Sequence, residues 1–207
     1  MPRHERSRST SAVRASIAGA AARLMAEDGV TDYHHAKKKA ARQLGLTEHV
    51  PFPDNAEIDA ELRAYRSLYQ GEKHPELITR LRRAALALLA ALADFRPWLT
   101  GSVLEGTAGE HSRIDILIFA DSAKEVEIFL LNREIPFTHG TPHHEKAEAV
   151  LVVETEVATA NLIVFPVACE RIKLKYHDGR PRQRIRAEAL SVLLQGAGAE
   201  TDMLDKL

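Results

Sequence analysis

The feature that most constrains this chain is a change in hydrophobic period near Trp98. Up to that point apolar residues recur every three or four positions; beyond it they alternate or run in short unbroken blocks. Helices bury a stripe and strands bury a face, so the spacing predicts a helical N-terminal region followed by a sheet. The fold class read from it is α+β. A first helix is expected over Ser11 to Asp28, with Val13, Ile17, Ala20, Leu24 and Met25 on one face and Gly29 as its stop. A second should cover Asp32 to Leu44. Asp54 and Glu57 have the spacing of a capping box for a third, in which each side chain satisfies a backbone N–H of the other's turn. Pro75 suits the first turn of a long fourth helix that ends before Pro97.

Past Trp98, "RIDILIF" reads as a buried strand, and Ser122 with Glu125 as the cap of a helix carrying Val126, Phe129 and Leu130. "PFTHG" suggests a short strand, and "AVLVVE" with "ANLIVFP" an antiparallel pair. "RIKLKY", an Asp178-Gly179 turn and a final helix near Arg184 to Leu194 follow. The organisation expected is a helical region over 1–72, a sheet domain with flanking helices over 73–195, and a flexible tail over 196–207.

Composition narrows the class of function. With 45% hydrophobic and 28% charged residues, the chain of 207 can bury a core. Its formal net charge is −1, so attraction for polyanions must come from local patches. Cys169 is the only cysteine, which excludes an intramolecular disulfide and a thiolate metal cluster and suits a reducing, cytoplasmic setting. The longest apolar run, Ala84 to Ala93, is about half the ~20 residues of a bilayer-spanning helix, so no membrane is expected as partner.

The stretch "LTGSVLEGTAGEHSRIDILIF", residues 99 to 119, places one carboxylate, Asp115, in an otherwise apolar strand. An acid there needs a buried partner or a cation. The order of strand, Gly101-Ser102, Gly106, Ser112-Arg113-Ile114-Asp115, apolar strand, helix and later "NLIVFP" resembles the nucleotidyltransferase superfamily, the DNA polymerase beta-like fold, over roughly Leu77 to Pro166. The resemblance implies a mixed sheet in which the Gly-Ser turn approaches a triphosphate. It also implies acids at alternate strand positions, with a third from a later strand, that hold the divalent cations needed to neutralise the attacking and leaving oxygens.

This chain departs from that pattern at two positions. Arg113 stands where the first acid belongs and Asn161 where the third belongs, leaving Asp115 as the one expected catalytic and metal-binding group. Arg113 shares a strand face with Asp115 and is expected to sit in the metal's place, paired with it. The resemblance therefore implies a catalytically degenerate nucleotidyltransferase-like protein that binds a nucleotide, another phosphate-bearing ligand or a partner. Its binding residues would be Gly101, Ser102, Gly106, Arg113, Arg180 and Arg182. One alternative is an active enzyme transferring a nucleoside monophosphate to a protein, nucleic acid or small molecule. Magnesium would be its cofactor, with relocated acids such as Glu105, Glu110 or Glu154; only an active enzyme calls for the metal. A second alternative is a helical nucleic-acid-binding protein whose sheet domain is scaffold.

Three other clusters have plainer readings. Seven Lys or Arg lie between Arg171 and Arg186, and Arg171, Lys173 and Lys175 would share one face of a strand, as a solvated surface or a phosphate contact. Lys37, Lys38, Lys39 and Arg42 fan around a helix rather than lining a stripe. His139, His143 and His144 lack the spacing of a metal site and read as a polar loop. The Gly-Lys-Ser or Gly-Lys-Thr of a P-loop is absent from the sequence.

Overall fold

The computed structural model describes residues 3–30, 32–46, 50–69, 73–175, 179 and 181–204, with backbone only for 3–10 and 197–204. Among these residues are seven α-helices and one six-stranded mixed sheet, in an α+β arrangement with the helical region first. Two compact units divide the chain, Met1–Pro75 and Glu76–Leu207.

The first unit holds α1 (Arg3–Glu27), α2 (Tyr33–Gln43), α3 (Asn55–Tyr69) and the start of α4 (Lys73–Ala91). Their ends form for local reasons legible in the sequence. The Asp32 carboxylate accepts from His35 N at 2.6 Å and opens α2. Glu57 N donates to Asp54 Oδ1 at 2.8 Å while Asp54 N donates to Glu57 Oε2 at 2.7 Å, a reciprocal capping box at α3. Ile17, Ala21 and Leu24 of α1 pack with Ala36 and Ala40 of α2 and with Ile58 and Leu62 of α3. The small alanines let the helix backbones approach closely. The basic cluster of α2 is partly satisfied within the unit, because Lys39 pairs with Asp28 at 2.8 Å and Lys37 donates to Asn55 Oδ1 at 2.7 Å.

In the second unit the strands are β1 (Trp98–Thr100), β2 (Ile114–Ala120), β3 (Phe137–Gly140), β4 (Ala149–Glu154), β5 (Thr159–Pro166) and β6 (Arg184–Ile185), in spatial order β3-β4-β5-β2-β1-β6. β2 and β5 are the parallel pair; the other neighbours run antiparallel. The chain between β2 and β5 passes through α6 (Ala123–Asn132), β3 and β4, and α6 opens with Ser122 Oγ accepting from Glu125 N. Helices α4 and α6 and the later α7 (Ala187–Leu204) contribute Leu81, Leu89, Val126, Leu130 and Leu190 to a core with Leu99, Ile114, Ile116, Ile118, Leu162 and Val164 of the sheet. Each fully buried Leu or Ile is worth about 1.5–3 kcal/mol. The alternate residues Leu117, Phe119 and Phe165 face the other way, into a smaller core with Cys169 and Leu174. β2 is thus covered on both faces for most of its length, which explains its unbroken apolar run.

Three expectations change at the C-terminal side. "RIKLKY" forms no strand among the described residues: Leu174 is buried, Lys175 makes an isolated bridge to Pro181, and Arg171, Lys173 and Lys175 are all exposed. Arg184 and Ile185 do not begin the last helix but form β6, because β1 has a free edge that pairs with them in register. The helix that follows runs to Leu204, across the stretch from 196 expected as tail. Gly196 meets nothing within 4 Å, and a helical glycine costs about 1 kcal/mol relative to Ala, which alone does not end a helix.

Candidate functional site

Cross-strand register gathers the site. Thr100 of β1 lies opposite Asp115 of β2, and Asp115 lies beside Asn161 of β5. Directly paired residues present side chains to the same face, so these three converge although they come from separate strands. The row extends across the sheet, from Thr138 through Val152 on one side to Arg184 on the other.

β1 ends in Gly101, with φ 77° and ψ −162°, a conformation reserved for glycine. The missing side chain also matters for space: a Cβ there would lie 2.7 Å from Asp115 Oδ2. Gly101 therefore lets the turn close over the carboxylate. Ser102 opens the four-residue helix α5 (Ser102–Glu105), and Gly106, at φ 73°, closes it by donating its N–H to the Ser102 carbonyl. Gly106 is held by local geometry, beside Arg82, whose guanidinium donates to the Val103 and Leu104 carbonyls at 3.1 and 2.8 Å. Ser112 caps the connector by accepting from Gly109 N at 2.8 Å.

Asp115 is partnered on both oxygens. Asn161 Nδ2 donates to Oδ1 at 2.9 Å, and Arg182 Nη2 stands 3.7 Å from Oδ2. The cation paired with Asp115 is thus Arg182, 13% exposed, rather than the expected Arg113. Arg113 is exposed and donates instead to Asn161 Oδ1 at 3.3 Å. The physical reason is anchorage. Arg182 Nε donates to Thr100 Oγ1 at 3.2 Å, Thr100 Oγ1 donates to the Gln183 carbonyl at 2.6 Å, and Arg182 N donates to the Leu174 carbonyl at 2.8 Å. A side chain held at its root and its Nε reaches the carboxylate with little further ordering. Thr100, buried at the centre of this set, belongs to no motif read from the sequence; its position directly before Gly101 is the available signal.

Burial pushes the Asp115 carboxyl above its ordinary range, and the Asn161 hydrogen bond and the charges of Arg182, Arg113 and His143 oppose that without cancelling it. A raised folded-state value means that the folded chain holds this proton more tightly than the unfolded one. Stability contributed by Asp115 is then present at acid pH and lost as pH rises from its unfolded value, about 3.9, through the folded one. Denaturant melts from pH 4 to 8 should show wild-type stability falling relative to Asp115→Asn over that window. A difference that stays flat or grows with pH contradicts the burial argument.

The remaining candidates make other contacts. Arg180 lies outside the described residues. Arg184 stacks on Trp98, 4.5 Å from the ring centroid, and donates to the Glu170 carbonyl at 2.5 Å. Arg186 pairs with Glu170 at 2.6 Å. The basic stretch is therefore partly structural. Glu154 accepts from Thr159 Oγ1 at 2.9 Å, and Glu110 is exposed in the connector. His139 pairs with Glu127 at 3.0 Å, and His144 Nδ1 accepts from Lys146 N at 3.1 Å.

A magnesium ion does not fit these residues. It requires several oxygen ligands in near-octahedral geometry, whereas Asp115 Oδ1 and Asn161 Oδ1 already accept hydrogen bonds and a guanidinium faces Oδ2. Among the described residues no group of three or more His, Cys, Asp or Glu could hold a metal ion. Likewise no helix among them is long and apolar enough to cross a membrane.

Comparison with protein-family models, curated proteins and solved structures finds no match.

Proposed function

We propose that this chain is a catalytically degenerate nucleotidyltransferase-like protein that binds a nucleotide or another phosphate-bearing ligand without a metal ion. The observation that carries this reading is the pair of neighbours on Asp115, an amide and a guanidinium rather than further carboxylates. The charges of Asp115, Arg113 and Arg182 sum to −1 + 1 + 1 = +1. An anion is therefore attracted directly, whereas a carboxylate cluster would need a divalent ion between itself and a phosphate. Ser102, whose hydroxyl has no hydrogen-bond partner among the described residues, is partly exposed directly after the turn that covers Asp115 and supplies a donor for a phosphate oxygen.

The test is equilibrium binding of ATP with magnesium and with EDTA, together with an assay for transfer of labelled AMP, GMP, CMP and UMP. Magnesium should change the affinity by less than about threefold, equivalent to under 1 kcal/mol, and no transfer should occur. Metal-dependent transfer by the unmodified protein, abolished by Asp115→Ala, overturns the degenerate reading in favour of an active enzyme.

A further inference from the structure

An ionised carboxylate accepts hydrogen bonds and cannot donate them, whereas a primary amide does both, from opposite ends. That asymmetry gives direction to the chain of contacts from Arg182 through Asp115 and Asn161 to Arg113. Because Asp115 Oδ1 takes the Asn161 NH₂ at 2.9 Å, the amide oxygen must point the other way, and it receives Arg113 Nη1 at 3.3 Å. Arg182, anchored on Thr100 and 13% exposed, is fixed behind the carboxylate. Arg113 is exposed, so it is the member of the chain that can meet a ligand.

We infer that Asp115 is a positioning residue, whose carboxylate sets the orientation of the Asn161 amide so that the amide oxygen holds Arg113 ready for an oxyanion. This rests on the reading of the site as one for a phosphate-bearing ligand, and it assigns the retained acid a task unrelated to metal binding. A free arginine side chain samples many rotamers, and ordering it before the ligand arrives removes part of the entropy lost on binding. In an Asp115→Asn variant the new amide could donate as well as accept. The Asn161 amide could then turn over, present its NH₂ to Arg113 and release it.

The sign of the effect separates this role from simple electrostatics. Removing a negative charge beside an anion site should tighten anion binding by Coulomb's law; loss of the relay should weaken it. Binding of inorganic phosphate and of sulfate, which stays dianionic across the working range, is measured on the full chain in magnesium-free buffer. Asp115→Asn and Asn161→Ala are each expected to bind about five- to tenfold more weakly than wild type, the worth of one typical hydrogen bond. Arg113→Gln should show a similar loss, and adding Asp115→Asn to it should cause no further one. Side-chain amide NMR should show a hydrogen-bonded Asn161 NH₂ in wild type that is lost in Asp115→Asn. Wild-type binding with unchanged or tighter binding in a folded Asp115→Asn variant overturns the relay and leaves the phosphate reading intact. If Asp115→Asn fails to fold, Asn161→Ala decides in the same way. Absence of wild-type binding to phosphate, sulfate and ATP overturns both.

Discussion

Gly101→Ala should destabilise the sheet-bearing unit by about 3 kcal/mol, through strain of about 1–3 kcal/mol for a side chain in this glycine-only backbone region together with a steric clash. The added Cβ would stand 2.7 Å from Asp115 Oδ2. That oxygen cannot swing aside freely, because Asn161 holds the same carboxylate and Arg182 lies against it. Thermal denaturation should show a fall in melting temperature on the order of 10 °C, and anion binding should weaken as the displaced carboxylate carries Asn161 with it. By contrast, Gly179→Ala, at an equally positive φ of 83° but with nothing within 4 Å of the added Cβ, should lack the steric component. Equal losses at the two glycines would mean that backbone strain alone sets the effect and that Gly101 is not fitted to Asp115.

The largest expected functional change comes from restoring the missing acids. Arg113→Asp combined with Asn161→Asp converts the charge at positions 113, 115, 161 and 182 from +1 to −2, by simple addition of −1 − 1 − 1 + 1 in the variant. Three neighbouring carboxylates repel one another and a phosphate, so nucleotide affinity in EDTA should fall by about tenfold or more. Magnesium should recover it and should raise the melting temperature of the variant but not of the wild type. Calorimetric titration of ATP with and without magnesium tests this; a double variant indifferent to the metal would falsify the placement of both residues at the ligand site.

Much of this arrangement is legible in the sequence because it is local or periodic. The reciprocal bonds of Asp54 and Glu57 and the Ser122 cap follow from residues three apart, and the convergence of Asp115 with Asn161 follows from strand alternation once the two strands are neighbours. The identity of the cation on Asp115 is not legible. Arg113, two positions away on the same strand face, is the obvious partner by period, but Arg182 is the better anchored one through Thr100. Nothing in the spacing of either arginine reveals that competition. The same limit applies to β6: two residues give no period to read, and only the open edge of β1 explains why Arg184 and Ile185 are extended.

That edge has a kinetic consequence. β1 meets β2 with Thr100 opposite Asp115, but it meets β6 with the Thr100 hydroxyl bonded to a carbonyl 83 residues along the chain. Each doubling of a closed loop adds about 0.6 kcal/mol of entropy, so the second closure is the harder by ~1.5 kcal/mol before any contact rewards it. The sheet can therefore bring Asp115 and Asn161 together while the segment carrying Arg182 is still a wandering strand, and for that interval the carboxylate lacks its cation. Docking of the last edge and delivery of Arg182 to Asp115 are then one event, so this ion pair is expected to form with completed assembly rather than to nucleate it.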